Sequence, residues 1–423
     1  MFAKFVTAQW VKTVVASFIL IACQMSAPAC AQNAPASAPS PLVNAGKPVD
    51  WWFVFKFNAK AFPGCSGGVQ PSCEFKGVPS SKPTSLQYVV ASSVERTLNM
   101  GDGCLGNSDK DPVGSTYASI FNGNFHYVVW NDQFYEDPKI SNCGNACAGP
   151  WGHSKGIVAW DDSGDGLVMQ VTTPSWPGAG SNKFPRASDN TLGCIAEPDN
   201  VMVSQSFFSV KLNHDGVLQV LKALSNASVA TNTGSPQIVS NGGPADLQAA
   251  VAVLGKPSKT QEIQRVSLTS EVGLLVKPSA LHVPPWQFVS AELGQVPLRV
   301  ASWWTNPEAI GSTTMTTQID CWSDSLPKPG PVEIATSGDW KGTALGLKGT
   351  ASPGGNHAKV GVSKDQEQPF VIFGDMNQEG PVAGTDCTSH QDGRGGLFFV
   401  IKDKTLWESV SGLLKGDSAP IAQ

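Results

Sequence analysis

Two short segments of this chain carry the same pair of reactive groups. His153-Ser-Lys155-Gly-Ile-Val and His357-Ala-Lys359-Val-Gly-Val each set an imidazole two residues ahead of an ammonium group, then run into apolar sequence. On an extended strand, residues i and i+2 share a face. His153 therefore projects with Lys155, and His357 with Lys359. Two imidazoles and two ammonium groups around one cleft suit phosphodiester chemistry. One neutral ring can attack phosphorus and form a phospho-histidine. The other can protonate the departing oxygen and then accept a proton from water. The lysines would stabilise charge on the non-bridging oxygens. Ammonium neighbours lower an imidazole pKa, so the required protonation split is natural near or below neutral pH. A single His-x-Lys reads as a solvent-facing histidine beside a solubilising lysine; repetition gives the pattern its weight.

The repetition extends beyond the motif. Asp161 and Asp365 each follow their histidine by eight residues, and each motif is followed by another apolar stretch, LVMQV or FVIF. Two such hairpins suggest two related half-domains. After FVIF comes Gly374-Asp375-Met376-Asn377, where Asn377 could bond phosphate or orient a histidine, and Asp375 could orient an imidazole or cap a turn. Arg394, set among glycines, is a further candidate phosphate contact. His126, His214 and His282 lack comparable surroundings and read as structural or surface positions; His390, near Arg394, reads as a loop residue. No cofactor is implied. Asp161, Asp162 and Asp165 alternate with glycine but lack the spacing of a calcium loop, so they read as a turn. Cys143-x3-Cys147 lacks the further ligands of a zinc site. A metal-independent reaction is expected.

The elements that must hold these groups read as a mixed α/β fold with flanking helices. Val49–Phe57 (ending WWFVFKF), His126–Trp130, Gly152–Trp160 and Leu167–Thr172 read as strands. The last two are joined by the turn-forming run 161–166. Leu98–Tyr117 reads as loop and Val203–Leu221 as ambiguous between strand and helix. Ala230–Gly243 reads as a surface excursion or boundary, and Ala245–Leu254 as a short helix. Further strands are expected within Glu262–Val276, Leu298–Trp304, Asn356–Ser363, Phe370–Phe373 and Leu397–Ile401, before a closing helix over Trp407–Leu414.

Residues 1–31 read as an export signal, with Lys4 and Lys12 ahead of the apolar run 14–22 and Ala29-Cys30-Ala31 as a cleavage site. Leu20-Ile21-Ala22-Cys23 alternatively resembles a lipobox, with Cys23 lipidated and attached to the outer membrane. The Pro/Ser/Ala-rich stretch within 32–47 reads as a flexible spacer. Half-domains are expected over 48–235 and 236–415, with a tail over 416–423. Loss of Cys23 and Cys30 with the leader leaves eight of ten cysteines, an even number that suits disulfides in a periplasmic or extracellular protein. Cys65 with Cys73, and Cys143 with Cys147, are spaced for local loops. The 29 basic and 34 acidic side chains give a net charge of −5. Without a Lys/Arg block, tight non-specific coating of nucleic acid is not expected. An enzyme gripping one or two phosphates needs only local positive charge in a cleft.

These motifs, in this order, resemble deoxyribonuclease II within the phospholipase D-like group. The resemblance begins at Lys47-Pro-Val-Asp-Trp51 with WFVFKF, and continues through Trp130-Asn-Asp-Gln133 and Gly152-His-Ser-Lys-Gly156. It resumes in the block ending at Asn377 and in Arg394-Gly-Gly396. It implies two phospholipase D-like half-domains in a pseudo-twofold arrangement, sharing one active site that one chain can complete without an obligate partner. It also implies endonucleolytic DNA cleavage without a divalent metal, 3′-phosphate ends and a preference for acid. His153 and His357 carry over as the catalytic pair, with His153 favoured as nucleophile, and Lys155 and Lys359 as phosphate partners. One departure is that Met169 stands where the family's second strand has another histidine, while Gln170 is directed by alternation to the opposite face. The alternatives are a phospholipase or other phosphodiesterase of the same group, marked by a broad apolar mouth, and a catalytically weakened nucleic-acid-binding or envelope protein. The latter would leave the two histidines apart or facing solvent.

Overall fold

A computed structural model of the chain describes residues 38–64, 84–106, 110–136, 138–174, 201–305, 309–384 and 386–422. The leader, Cys23 and the Cys65–Cys73 pair lie outside these residues.

The aromatic run Trp51–Lys56 forms β1, every residue of it buried. It pairs with β2 (Tyr88–Ser92), and the short β3 (Asn99–Met100) follows at the edge. The stretch expected to be loop then turns helical. Asp111 accepts from the Gly114 amide at 2.8 Å and Pro112 takes the first helical position of α1 (Pro112–Asn122), the residue types that favour a helix start. Then come β4 (His126–Asn131), β5 (Lys155–Trp160), β6 (Gly166–Val171) and β7 (Gln205–Leu212). The ambiguous 203–221 segment is both things in succession, β7 and then α2 (His214–Asn226), with Asn213 capping the break. The edge strand β8 (Val239–Ser240) pairs with β4, so the expected excursion adds to the first sheet. The order is β3-β2-β1-β7-β6-β5-β4-β8.

After α3 (Ala245–Ala252) the chain builds a second sheet. Its strands are β9 (Gln264–Ser267), β10 (Val272–Lys277), β11 (Leu298–Ala301) and β12 (Val332–Ile334), with α4 (Pro285–Glu292) between β10 and β11. A small hairpin, β13 (Ser337–Trp340) with β14 (Thr343–Gly346), intervenes before β15 (Val360–Ser363), β16 (Phe370–Gly374), β17 (Gly396–Lys402) and α5 (Lys404–Leu413). The order is β12-β11-β15-β16-β17-β10-β9. Asp161 and Asp365 occupy equivalent turns: each carboxylate accepts an amide two residues on, from Ser163 and Glu367, at 2.9 Å. Their role is to form the turn.

Strand periodicity shows how the layers stack. Along β17, Leu397, Phe399 and Ile401 join the core shared with the first sheet, while Phe398 and Val400 pack with Trp286 and Phe288 of α4. Across the shared layer, Phe373 meets Phe53 and Phe208 at 4.5 Å between ring centroids, and Phe208 meets Phe399 at 5.2 Å. The first sheet's other face packs against α2. Two sheets thus face one another, with α2 and α4 on their outer faces, and Ala38–Gln423 make one compact unit. Order begins ahead of Pro48. Pro39 and Pro41 are buried, and the Leu42 backbone is held on both sides by the Thr116 hydroxyl of α1.

Among the described residues, no helix is long and apolar enough to cross a membrane. Cys143–Cys147 and Cys321–Cys387 are disulfides, and Cys104 is disulfide-bonded as well. Such bonds persist in oxidising compartments, consistent with an extracellular or lysosomal-type setting.

Candidate active site

Both His-x-Lys motifs lie where the chain enters a strand, and each is sewn to the opposite sheet. The His153 amide donates to Gly395 O at 2.9 Å, beside the start of β17. The His357 amide donates to Ser204 O at 2.7 Å, beside the start of β7, and the Lys359 amide donates to the Ser206 hydroxyl at 3.2 Å. Glycine makes the first junction possible. A Cβ on Gly152 would stand 2.5 Å from Ala227 O, and one on Gly395 would stand 2.3 Å from the same oxygen.

The result is one cavity of about 360 Å³ lined by His153, Lys155, His357, Lys359, Asn377, Gln133, Thr172, Trp303 and Ala351. All four motif side chains are buried. Seven of the nine lining residues carry polar side chains, Lys155 and Lys359 among them. The histidines neither separate nor face solvent independently.

Lys155 Nζ donates to Asp132 Oδ1 at 2.6 Å, and Arg394 Nη2 donates to Asp132 Oδ2 at 2.7 Å. Burial alone would raise the Asp132 pKa, but Lys155, His153 and Arg394 together hold it well below the carboxylate range. Arg394 also donates to the carbonyls of Trp151 and Gly152. It braces the backbone before His153 and does not line the cavity. Lys155 and Arg394 thus bring two cations to one aspartate.

His153 Nδ1 bonds to Gln391 Oε1 at 2.8 Å, while its Nε2 is 3.9 Å from Asp132, beyond hydrogen-bonding distance. The His357 ring meets Trp303 edge-on at 4.1 Å, and Lys359 Nζ donates to His357 O at 2.7 Å. Burial lowers the pKa of each imidazole well below its usual value. The lysines add to this, Lys155 for His153 and Lys359 then Lys155 for His357, and His153 itself acts on His357. Burial, with Lys155 next, also lowers Lys359 to about 7.

Asn377 lines the cavity, its Nδ2 given to Glu379 at 2.9 Å. Asp375 lies beneath, joining β16 to β17 by accepting from the Leu397 amide at 3.1 Å. Burial raises its pKa to about 7 against the lowering effect of Ser154 and Gln170. The imidazole of His153 is oriented by Gln391, a residue that sequence reasoning passed over, as it did Asp132 outside the Trp130–Gln133 motif. The registers place Met169 and Gln170 of the second strand on opposite faces, as alternation required. Gln170 aligns with Phe208, on the face between the sheets, and donates to Leu397 O at 3.0 Å. Met169 aligns with Ile157 and Ser209, fully buried and away from the cavity lining. His282 and His390 line an adjoining cavity with Gln391 and Arg394. His126 and His214 bond to Asp162 and Asp246 at the surface. Among the described residues, no cluster of three or more His, Cys, Asp or Glu is placed to hold a metal ion.

The sequence model of deoxyribonuclease II matches residues 40–416, a span that contains every residue of the cavity. The chain belongs to the deoxyribonuclease II family. This member is similar to cell-death-related nuclease 7 of Caenorhabditis elegans, 23% identical over 377 residues, which cover 86% of this chain and 83% of the relative. As a deoxyribonuclease II family member it is a hydrolase, an endonuclease that cleaves DNA, and DNA is its substrate.

Proposed function

We propose that this endonuclease cuts DNA through a phospho-histidine on His153 and releases 3′-phosphate ends without a divalent metal. The carrying observation is the shared cavity, in which both imidazoles and both ammonium groups can surround a single phosphate. In the first step a lone pair of His153 attacks phosphorus, the bond from phosphorus to the 5′-oxygen breaks, and that oxygen takes a proton from the His357 imidazolium. In the second step His357 removes a proton from water, whose oxygen displaces His153 and leaves the 3′-phosphate. Lys155 and Lys359 hold the non-bridging oxygens; Asn377 adds a polar contact, and Asp375 and Arg394 keep the strand ends in place.

The depressed imidazole pKa values support acid operation. His153 stays a neutral nucleophile in mildly acidic solution, while His357 gains its proton there when an anionic phosphodiester is bound beside it. Two half-domains, over 48–235 and 236–415, fit the paired motifs and their matching aspartate turns, with one chain sufficient for the site. Export to the periplasm or medium, with or without lipidation at Cys23, fits the disulfides.

The deciding experiment is plasmid nicking with EDTA across pH 4 to 8, comparing wild type with His153→Ala and His357→Ala. Nicking that persists in EDTA and vanishes in both variants is expected. Dependence on added metal, or full activity in either variant, would overturn the mechanism.

A further inference from the structure

The ring of His153 is met by a residue that does not line the shared cavity. Gln391 is buried and sits on the loop leading into β17. Its Oε1 receives the His153 ring at Nδ1, 2.8 Å away, and also the backbone amide of Asn377 at 3.3 Å. A backbone N–H can only donate. The Gln391 atom facing it must therefore be the carbonyl oxygen, which removes the usual freedom to exchange the two ends of an amide. An oxygen in that position can only accept, so the neutral imidazole must carry its proton on Nδ1. Its lone pair is left on Nε2.

We propose that Gln391 is a positioning residue that fixes the tautomer and orientation of His153, making Nε2 the atom that bonds phosphorus. The proposal rests on the phospho-histidine reading above, and its chemistry is balanced in the same way. The Nε2 lone pair forms the nitrogen–phosphorus bond as the bond to the 5′-oxygen breaks. The proton on Nδ1 stays in its bond to Gln391, while the leaving oxygen is protonated by His357. Asn377 acquires a second function, because its amide holds the glutamine in this orientation. The two sheets are thereby linked through the reacting ring: His153 enters β5, whereas Asn377 and Gln391 flank the return from β16 to β17.

Two measurements test this. The first is nitrogen NMR of 15N-histidine-labelled resting protein, with His153 assigned by comparison with His153→Ala, at a pH where the ring is neutral. A single Nδ1-protonated tautomer is expected in wild type, giving way to a mixture in Gln391→Leu. An Nε2-protonated ring in wild type would overturn the proposal, whether or not the protein cleaves DNA. The second is steady-state cleavage. Gln391→Leu should lower kcat by about 100-fold, the scale of losing a group that orients a reactive histidine, with KM little changed. Gln391→Glu keeps an acceptor opposite Nδ1, so it should restore most of kcat and move the limb of the pH profile that reports His153 upward. Equal losses in both variants with an unchanged tautomer would reduce Gln391 to a packing role. If wild type fails to cleave DNA, the nuclease mechanism fails while the NMR result still stands.

Discussion

At the residue scale, Asp132 is the hinge of the site's electrostatics. It joins a lysine facing the cavity to an arginine that braces the backbone, with each carboxylate oxygen engaged by a cation. Removing one partner of a buried ion network leaves the others unpaired, which costs about 3–5 kcal/mol. Asp132→Asn should therefore lower the denaturant midpoint by a matching amount, measurable by urea unfolding at neutral pH, and lower cleavage as well. The histidines and Lys359 set the pH response. Their lowered pKa values mean that positive charge is lost from the cavity as pH rises, with Lys359 discharging through about 7. Cleavage rate against pH should accordingly be highest in acid and fall toward pH 8. A rate that keeps climbing to pH 8 would contradict this. Asp375 has the opposite sign. Its folded pKa, raised from 3.8 to about 7, means that the native state holds the proton more tightly than the unfolded chain. The associated stability is complete below the unfolded pKa and is lost as pH rises through about 7. Asp375→Asn mimics the neutral acid, so melting curves at pH 5 and pH 8 should converge in this variant relative to wild type.

At the element scale, the important events occur just outside the strands. β5 begins at Lys155 and β15 at Val360, so both histidines stand on extended lead-in segments. The alternation argument put each histidine with its lysine, but the opposite sheet anchors the backbone of each. Gly152→Ala tests this junction. Its Cβ would meet a backbone carbonyl at 2.5 Å, and overpacking of this kind costs about 1–3 kcal/mol. Thermal melting should show that loss, and kcat should fall further than stability alone explains because His153 follows directly. Strands and turns were readable where the pattern was strong, as in WWFVFK and the aspartate turns. The start of α1 was missed although Asp111-Pro112 is a helix-start pair, because the glycine-rich approach to it masks the signal. Gln170 and Met169 lie on opposite faces as alternation required, but what each side chain meets depends on the register with β7.

At the scale of the whole molecule, one active site requires two sheets to stay in contact. The rings of Phe53, Phe208, Phe373 and Phe399 form much of that contact. Phe208→Ala should cost about 3–5 kcal/mol, read as a drop in urea midpoint, with lost cleavage because the two motifs are held from opposite sheets. The amino-acid sequence alone determined the two His-x-Lys pairs, their hairpin turns, the alternating apolar strands and the kinship with a nuclease family, since these depend on local spacing and residue type. Tertiary structure decided that the distant motifs share a cavity, that Asp132 and Arg394 neutralise one another beside it, and that Gln391 meets His153. Those contacts join residues more than two hundred positions apart, and only the packing of one sheet on the other brings them within reach of a hydrogen bond.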